Sequence, residues 1–232
     1  MIIDLLLVII IGAVTWCVAS EGAWGAVLTF LSVLFSGLLA MNFYESLAGF
    51  LSAQFSSFEP YSDFMALMGL FALFTTGFRM LGEQISPVQI ELDGPVYQGC
   101  RWAFSIISGY VTMAFLLTAL HTAPLPREFL DFKPERANLF GAASPDRQWL
   151  GFTQHVSEKV LSSDRIFDGM IIKGMVLQGE KHPVWATFPI RYASRRESYA
   201  TPNQAKIGLR TLAPAPGGGG GTGAAGGGGG GF

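Results

Sequence analysis

The chain has 232 residues, half of them hydrophobic and only 14% charged, whereas a soluble domain carries roughly 25% charged residues. Its formal charge of -2 lacks the strongly basic balance that marks a nucleic-acid binder, so no such partner is expected. Of the 15 Lys and Arg, all but Arg79 and Arg101 follow His121, which divides the chain into an apolar front and an ordinary charged back.

Four apolar stretches occupy the front. The first, Met1 to Ala19, is interrupted only by Asp4. It lacks a basic leader and is longer than the roughly 7–15 residues of a signal-peptide core, so it reads as a retained span. The second runs from Trp24 to Met41, the third from Phe64 to Phe78 and the fourth from Trp102 to Leu120. Crossing the hydrocarbon takes about 20 helical residues. The third stretch reaches that length only from Tyr61 to Leu81, with Asp63 and Arg79 near the interfaces. The expected fold is therefore all-α: a bundle of four transmembrane helices in residues 1–121 (spans about 2–19, 24–41, 62–81 and 102–120), inserted in a lipid bilayer. A soluble core is excluded because four such stretches leave too little polar chain to cover them.

The turn Ser20-Glu21-Gly22-Ala23 makes spans one and two an antiparallel hairpin. Between Asn42 and Ser62, Phe43, Leu47, Phe50, Leu51, Phe55 and Phe58 recur near helical spacing. This reads either as an amphipathic continuation or re-entrant element, or as a loop over the bundle. Pro60 ends any helix before it. Gly82 to Gly99, with Pro87, Gly94 and Pro95, reads as a polar connection with Val88 to Leu92 extended. Small residues fall four apart at Ser32, Ser36 and Ala40, and again at Ser105 and Gly109, forming faces that let membrane helices approach closely.

Beyond His121, Pro124 and Pro126 break the helix, and residues 122–212 form a small mixed polar segment. Its clearest element begins at Ser144-Pro145-Asp146, an N-cap, a first-turn proline and a first-turn acid. With Trp149, Phe152, Val156 and Val160 as its stripe, an amphipathic helix over about 145–161 is expected to pack on the membrane domain or on its own neighbours, with insertion at the membrane surface as the alternative. Ile166 to Leu177 could be extended, and Val184 to Tyr192 has strand-like residues that Pro189 confines to an edge or loop. Residues 213–232, almost all glycine from Gly217, form a disordered tail because nothing there can bury apolar area.

No catalytic, cofactor or metal site is expected. His121, His155 and His182 share no ligand spacing with carboxylates, and there is no nucleophile elbow or phosphate loop. Cys17 and Cys100 read as free packed thiols, although both fall on one side and a disulfide stays open. Ionisable residues in spans are functional candidates by default. Asp4 is expected to cap free N–H groups and meet the positive end of the first helix, with proton relay as the alternative. Arg79 is expected to snorkel, with an ion pair to Glu21 or Glu83 as the alternative. With Ser105 and Gly109, these residues complete the structural and functional candidates. Helix-flanking bases favour neither orientation.

The pattern Met1-Ile2-Ile3-Asp4-Leu5-Leu6, a short glycine-containing hairpin at Ser20 to Gly25, a second helix ending Met41-Asn42-Phe43-Tyr44 and two further helices resembles the colicin V production protein (CvpA) family. The likeness covers about residues 1–121. Members usually carry bases in the first hairpin, where this chain has Glu21. The resemblance implies a non-enzymatic, multi-pass inner-membrane protein without cofactor, linked to colicin V or toxin production or export and to envelope homeostasis. Homo-oligomers or envelope proteins are its possible partners; an oligomeric channel or transporter subunit, assembled through the small-residue faces, is the alternative.

Overall fold

In the computed structural model of the chain, the described residues are 2–85, 94–125, 130–132, 137–160, 167, 188–189 and 191–193. They form five α-helices: α1 (Ile2–Ser20), α2 (Gly22–Gln54), α3 (Ser62–Ile85), α4 (Gly94–Thr122) and α5 (Pro145–His155). The first four are long and apolar enough to cross a membrane. No strand occurs among the described residues, only an isolated bridge between Leu139 and Ala143.

The turn after α1 depends on glycine. Gly22 has φ of +86°, and a Cβ there would lie 2.8 Å from the Tyr97 hydroxyl. Only glycine adopts that backbone without strain. Helix α2 then runs for 33 residues, about 50 Å at 1.5 Å per residue, well beyond the roughly 30 Å hydrocarbon core. The segment after Met41 is thus an unbroken helical continuation of the second span, with Tyr44 and Ala48 buried and Phe43 and Phe50 exposed. A 3₁₀ turn at Ser56–Tyr61, containing Pro60, reverses the chain into α3.

The expected polar connection between spans three and four is shorter than its sequence suggests. Helix α3 continues past Gly82 to Ile85, and α4 begins at Gly94 with Pro95 in its first turn, where a missing N–H costs nothing. The extended stretch expected at Val88 to Leu92 lies outside the described residues.

Helices α2 and α4 take the inner positions: α2 packs on both α3 and α4, while α1 packs on α4. Outward-facing Leu5, Ile9, Trp16, Phe35, Met65, Leu73, Ile106 and Ile107 form an exposed apolar belt of the kind hydrocarbon covers. Where α1 meets α4, a Cβ on Gly109 would lie 2.9 Å from the Ile11 carbonyl oxygen and 2.6 Å from Thr15 Oγ1. The Thr15 hydroxyl donates to the Ser105 carbonyl at 3.4 Å across the same seam.

Helix α5 packs on the C-terminal half of α4, and its Trp149 reaches Gly37 of α2. Its buried stripe is Trp149, Leu150, Thr153 and Val156, shifted from the expected one: Phe152 and Val160 are exposed. The α-helix stops at His155 and continues as a π turn over Val156–Val160. In the stretch with strand-like residues, Phe188, Pro189 and Arg191 to Ala193 are helical. There aromatic packing decides: Phe188 and Tyr192 stack on each other at 4.7 Å, and Phe188 meets Tyr44 at 6.3 Å. The glycine tail lies outside the described residues, as does most of the stretch from Ile166 to Leu177.

Because the atom facing Gly109 is a backbone carbonyl, Gly109→Val is expected to cost about 1–3 kcal/mol as overpacking and to part α1 from α4. Gly12, with open space around it, is the control: Gly12→Ala leaves the midpoint within a degree or two, as judged by thermal unfolding in detergent.

Candidate functional site

The ion pairs of the membrane domain lie toward its two ends. At the end holding the α1–α2 turn, Arg79 Nε donates to Glu83 Oε1 at 2.8 Å. Its Nη1 pairs with Glu21 Oε2 and reaches Thr29 Oγ1. The Thr29 hydroxyl donates to the same Glu21 oxygen at 2.9 Å. Arg79 lies a turn deeper than Gly82, which already faces Leu28 of α2. Its guanidinium therefore reaches back toward the turn to find these carboxylates. The ion pair expected as the alternative at Arg79 forms with both carboxylates, Glu21 and Glu83. Nearby, Arg101 Nε donates to the Ala19 carbonyl at 2.6 Å, closing the carbonyl end of α1 as a cation should. Cys17 and Cys100 are both free.

At the opposite end, side chains of the spans hold the chain that returns after α4. Asp4 is buried in the first turn of α1, and its Oδ1 accepts the Phe140 backbone N–H at 2.7 Å. The role expected for Asp4 was local to its own helix; the structure adds a tie across 136 positions. That tie holds a loop bent through left-handed backbone at Phe140 and Gly141, with φ of 52° and 70°. Such a conformation is unfavourable for phenylalanine, and the hydrogen bond to a buried carboxylate offsets it.

Deeper in the same end, His121 Nε2 and Asp146 Oδ2 lie 2.9 Å apart with both side chains fully buried. The pair joins the last turn of α4 to the first turn of α5. Phe132 packs edge-on to the imidazole at 4.9 Å, and the Thr118 hydroxyl donates to the Asp146 backbone carbonyl at 3.4 Å. One turn along α5, Trp149 packs edge-on to Phe115 at 6.0 Å. Its ring lies so close to Gly37 that a Cβ there would come within 2.5 Å of Trp149 Cζ2. The Tyr110 hydroxyl donates to Gln148 Oε1.

A third tie lies on the extension of α2. Arg191 donates to the Tyr44 hydroxyl and to Glu45 Oε1, each at 3.1 Å. Burial works against the Arg191 charge, but Tyr44, Tyr192 and Glu45 outweigh it and hold its pKa above the ordinary arginine value. The guanidinium is therefore charged throughout the biological pH range.

The candidates named from sequence thus fall into separate places. Glu21 and Arg79 meet at one end; Asp4 works at the other; Ser105 and Gly109 form the seam between α1 and α4. Ser32, Ser36 and Ala40 are likewise buried within the chain. The small-residue faces are therefore used up in intramolecular packing. Sequence reasoning missed His121 as half of a buried pair, because Asp146 lies 25 positions away and no spacing rule links them. The one readable signal was Asp146 itself, a helix-starting acid. Among the described residues no group of three or more His, Cys, Asp or Glu could hold a metal ion.

Removing one member of the buried pair leaves the other unsatisfied, so Asp146→Ala is expected to cost about 3 kcal/mol. Arg79→Ala, at a partly exposed pair, is expected to cost under about 1 kcal/mol. Unfolding of both variants in detergent tests that order, and an equal or reversed ranking contradicts it.

The family model for colicin V production protein matches residues 3–137, a range that includes all four spans. No curated protein and no solved structure matches the chain.

Proposed function

The chain belongs to the colicin V production protein family, and from that membership we propose that it acts as a non-enzymatic platform or accessory subunit in toxin production or export and in envelope homeostasis. It is a multi-pass membrane protein of CvpA type, by family and by four membrane-length apolar helices. The inner membrane is the proposed location, and envelope proteins are the proposed partners. The observation that carries the platform reading is how the later chain is held. Asp4, His121 and the Tyr44–Glu45 pair tie three separate parts of it, at Phe140, Asp146 and Arg191, onto one end of the helix bundle.

The alternative, a channel or transporter subunit assembled through small-residue faces, draws no support from Ser32, Ser36, Ala40, Ser105 and Gly109, all packed inside the chain. An oligomer would have to use the outward-facing apolar belt instead of these buried faces.

Deletion of the gene is expected to lower both toxin export and survival of envelope stress, with recovery on complementation by the intact chain. A deletion strain that exports and survives as its parent does would rule out the proposed role.

A further inference from the structure

Helix α5 is polar for the depth at which it lies. The Trp149 ring packs on Phe115, and a Cβ on Gly37 would come within 2.5 Å of it. Phe115 belongs to the apolar stretch Trp102 to Leu120, and Gly37 to the stretch Trp24 to Met41. From near the middle of the fourth stretch, the Tyr110 hydroxyl donates to Gln148 Oε1. Asp146 instead meets His121 and Thr118, closer to the end of α4. So α5 enters beside His121 and runs inward, antiparallel to α4. Its 11 residues make about 16 Å of helix, roughly half the thickness of the hydrocarbon. The face of α4 beneath it is divided accordingly. Ile107, Ala114, Thr118 and His121 share one stripe by helical spacing; Ile107 is exposed, and the other three are buried. Helix α5 covers the half of that stripe nearer His121, and lipid covers the rest.

The side of α5 turned away from the bundle carries the polar groups. Arg147, Gln148, Gly151 and His155 are exposed, at spacings of three and four that place them on one face. Phe152 is the one large apolar side chain of α5 exposed beside them. Polar and ionisable groups at membrane depth face a bundle interior or a water-filled cavity, because hydrocarbon offers them no partners. Here the bundle lies on the opposite side of α5. A first-turn arginine can snorkel to the interface, but the shorter side chains of Gln148 and, two turns on, His155 stop short of it.

We propose that α5 is a re-entrant half-helix bordering a water-filled inlet, which opens at the His121 end of the bundle and reaches Gln148 and Tyr110 near mid-membrane. The inlet admits water and small hydrophilic solutes, and a single chain supplies its polar wall. Beyond its foot the exposed Ile106 and Ile107 of α4 return the surface to lipid. This inference goes beyond the platform reading and does not rest on it.

The test is cysteine accessibility in the full chain, one copy per lipid nanodisc, with the native Cys17 and Cys100 replaced by alanine. The probe is an anionic, membrane-impermeant methanethiosulfonate, which attacks the thiolate and so reacts only where water ionises the thiol. Gln148→Cys and Gly151→Cys sample the inlet. Gly151 is the cleaner position, since a Cβ there meets nothing within 4 Å. Ile9→Cys is the lipid control: Ile9 is exposed, and the approach of Ile11 to Gly109 sets it at the depth of Tyr110. Gln54→Cys, exposed at the end of α2, verifies that the reagent is active. Both inlet thiols are expected to react at least about thirtyfold faster than the thiol of Ile9→Cys. A Gly151→Cys chain below that margin overturns the proposal, whether lipid or a second copy is what shields it. So does an Ile9→Cys chain that reacts as fast as Gly151→Cys, because the reagent then reaches every face alike. If size exclusion shows the Gln148→Cys chain misfolded for want of its bond to Tyr110, Gly151→Cys decides alone. The readout is labelling of purified protein, so it stands or falls independently of the export and stress phenotypes that test the platform reading.

Discussion

Water supplies no drive for one helix to leave hydrocarbon and join another, so a membrane bundle depends on how closely its backbones approach. In this chain the decisive approach is at Gly109. The Ile11 carbonyl comes so near that a methyl group would not fit, and α1 is thereby fixed along α4. Much of the rest follows from that seam. It sets the start of α1 beside the end of α4, which brings Asp4 level with the chain that returns after His121. Leu7 and Ile3 of α1 pack with Met113, Leu117 and Phe132 in one cluster. Phe132 is also the ring that meets the His121 imidazole, so the floor of the buried pair rests on the same seam.

The two ends of the bundle differ in what their ion pairs are worth. Around Arg79 the partners are partly exposed, with side-chain exposures of 25% for Arg79, 36% for Glu21 and 58% for Glu83. Exposed ion pairs contribute about 0–1 kcal/mol and are weakened by salt. His121 and Asp146 are at 0%, and losing one member of a buried pair costs several times as much. Direction thus follows from magnitude. The turn end closes the helices, whereas the other end fixes what is attached to them.

How much of this could be read in the sequence depends on the range of each interaction. The four spans were legible because hydropathy is a local property of about 20 consecutive residues. Their ends were less so: Pro95 looks like a breaker and stands in a first turn, where proline is tolerated. The continuation of α2 past Met41 was visible as a helical recurrence of aromatics, but periodicity alone could not separate a helix from a loop over the bundle. The small-residue faces were legible as faces, and their use inside the chain was not, because the same pattern serves a neighbouring helix or a second subunit. The His121–Asp146 pair was out of reach, since its members are joined only by the fold. The strand-like residues before Tyr192 misled for a related reason. β-Propensity reflects fit to a half-buried surface, and Phe188 and Tyr192 find that surface on Tyr44 instead of on a strand.

The family match stops at residue 137, yet the packing does not. Trp149, Leu150, Phe188 and Tyr192 belong to the same buried cluster as Val33, Met41, Tyr44, Phe71 and Phe115. The described parts of the later chain therefore share a core with the helices. Those parts pack on the surface that the helices offer. The length of α2 now has a physical role. A helix ending at Met41 would satisfy the bilayer, but the receiving surface would lack Tyr44, Glu45 and Ala48. The 33-residue helix carries the hydrophobic face of the bundle past the membrane boundary, and the appended segment is built on that projection.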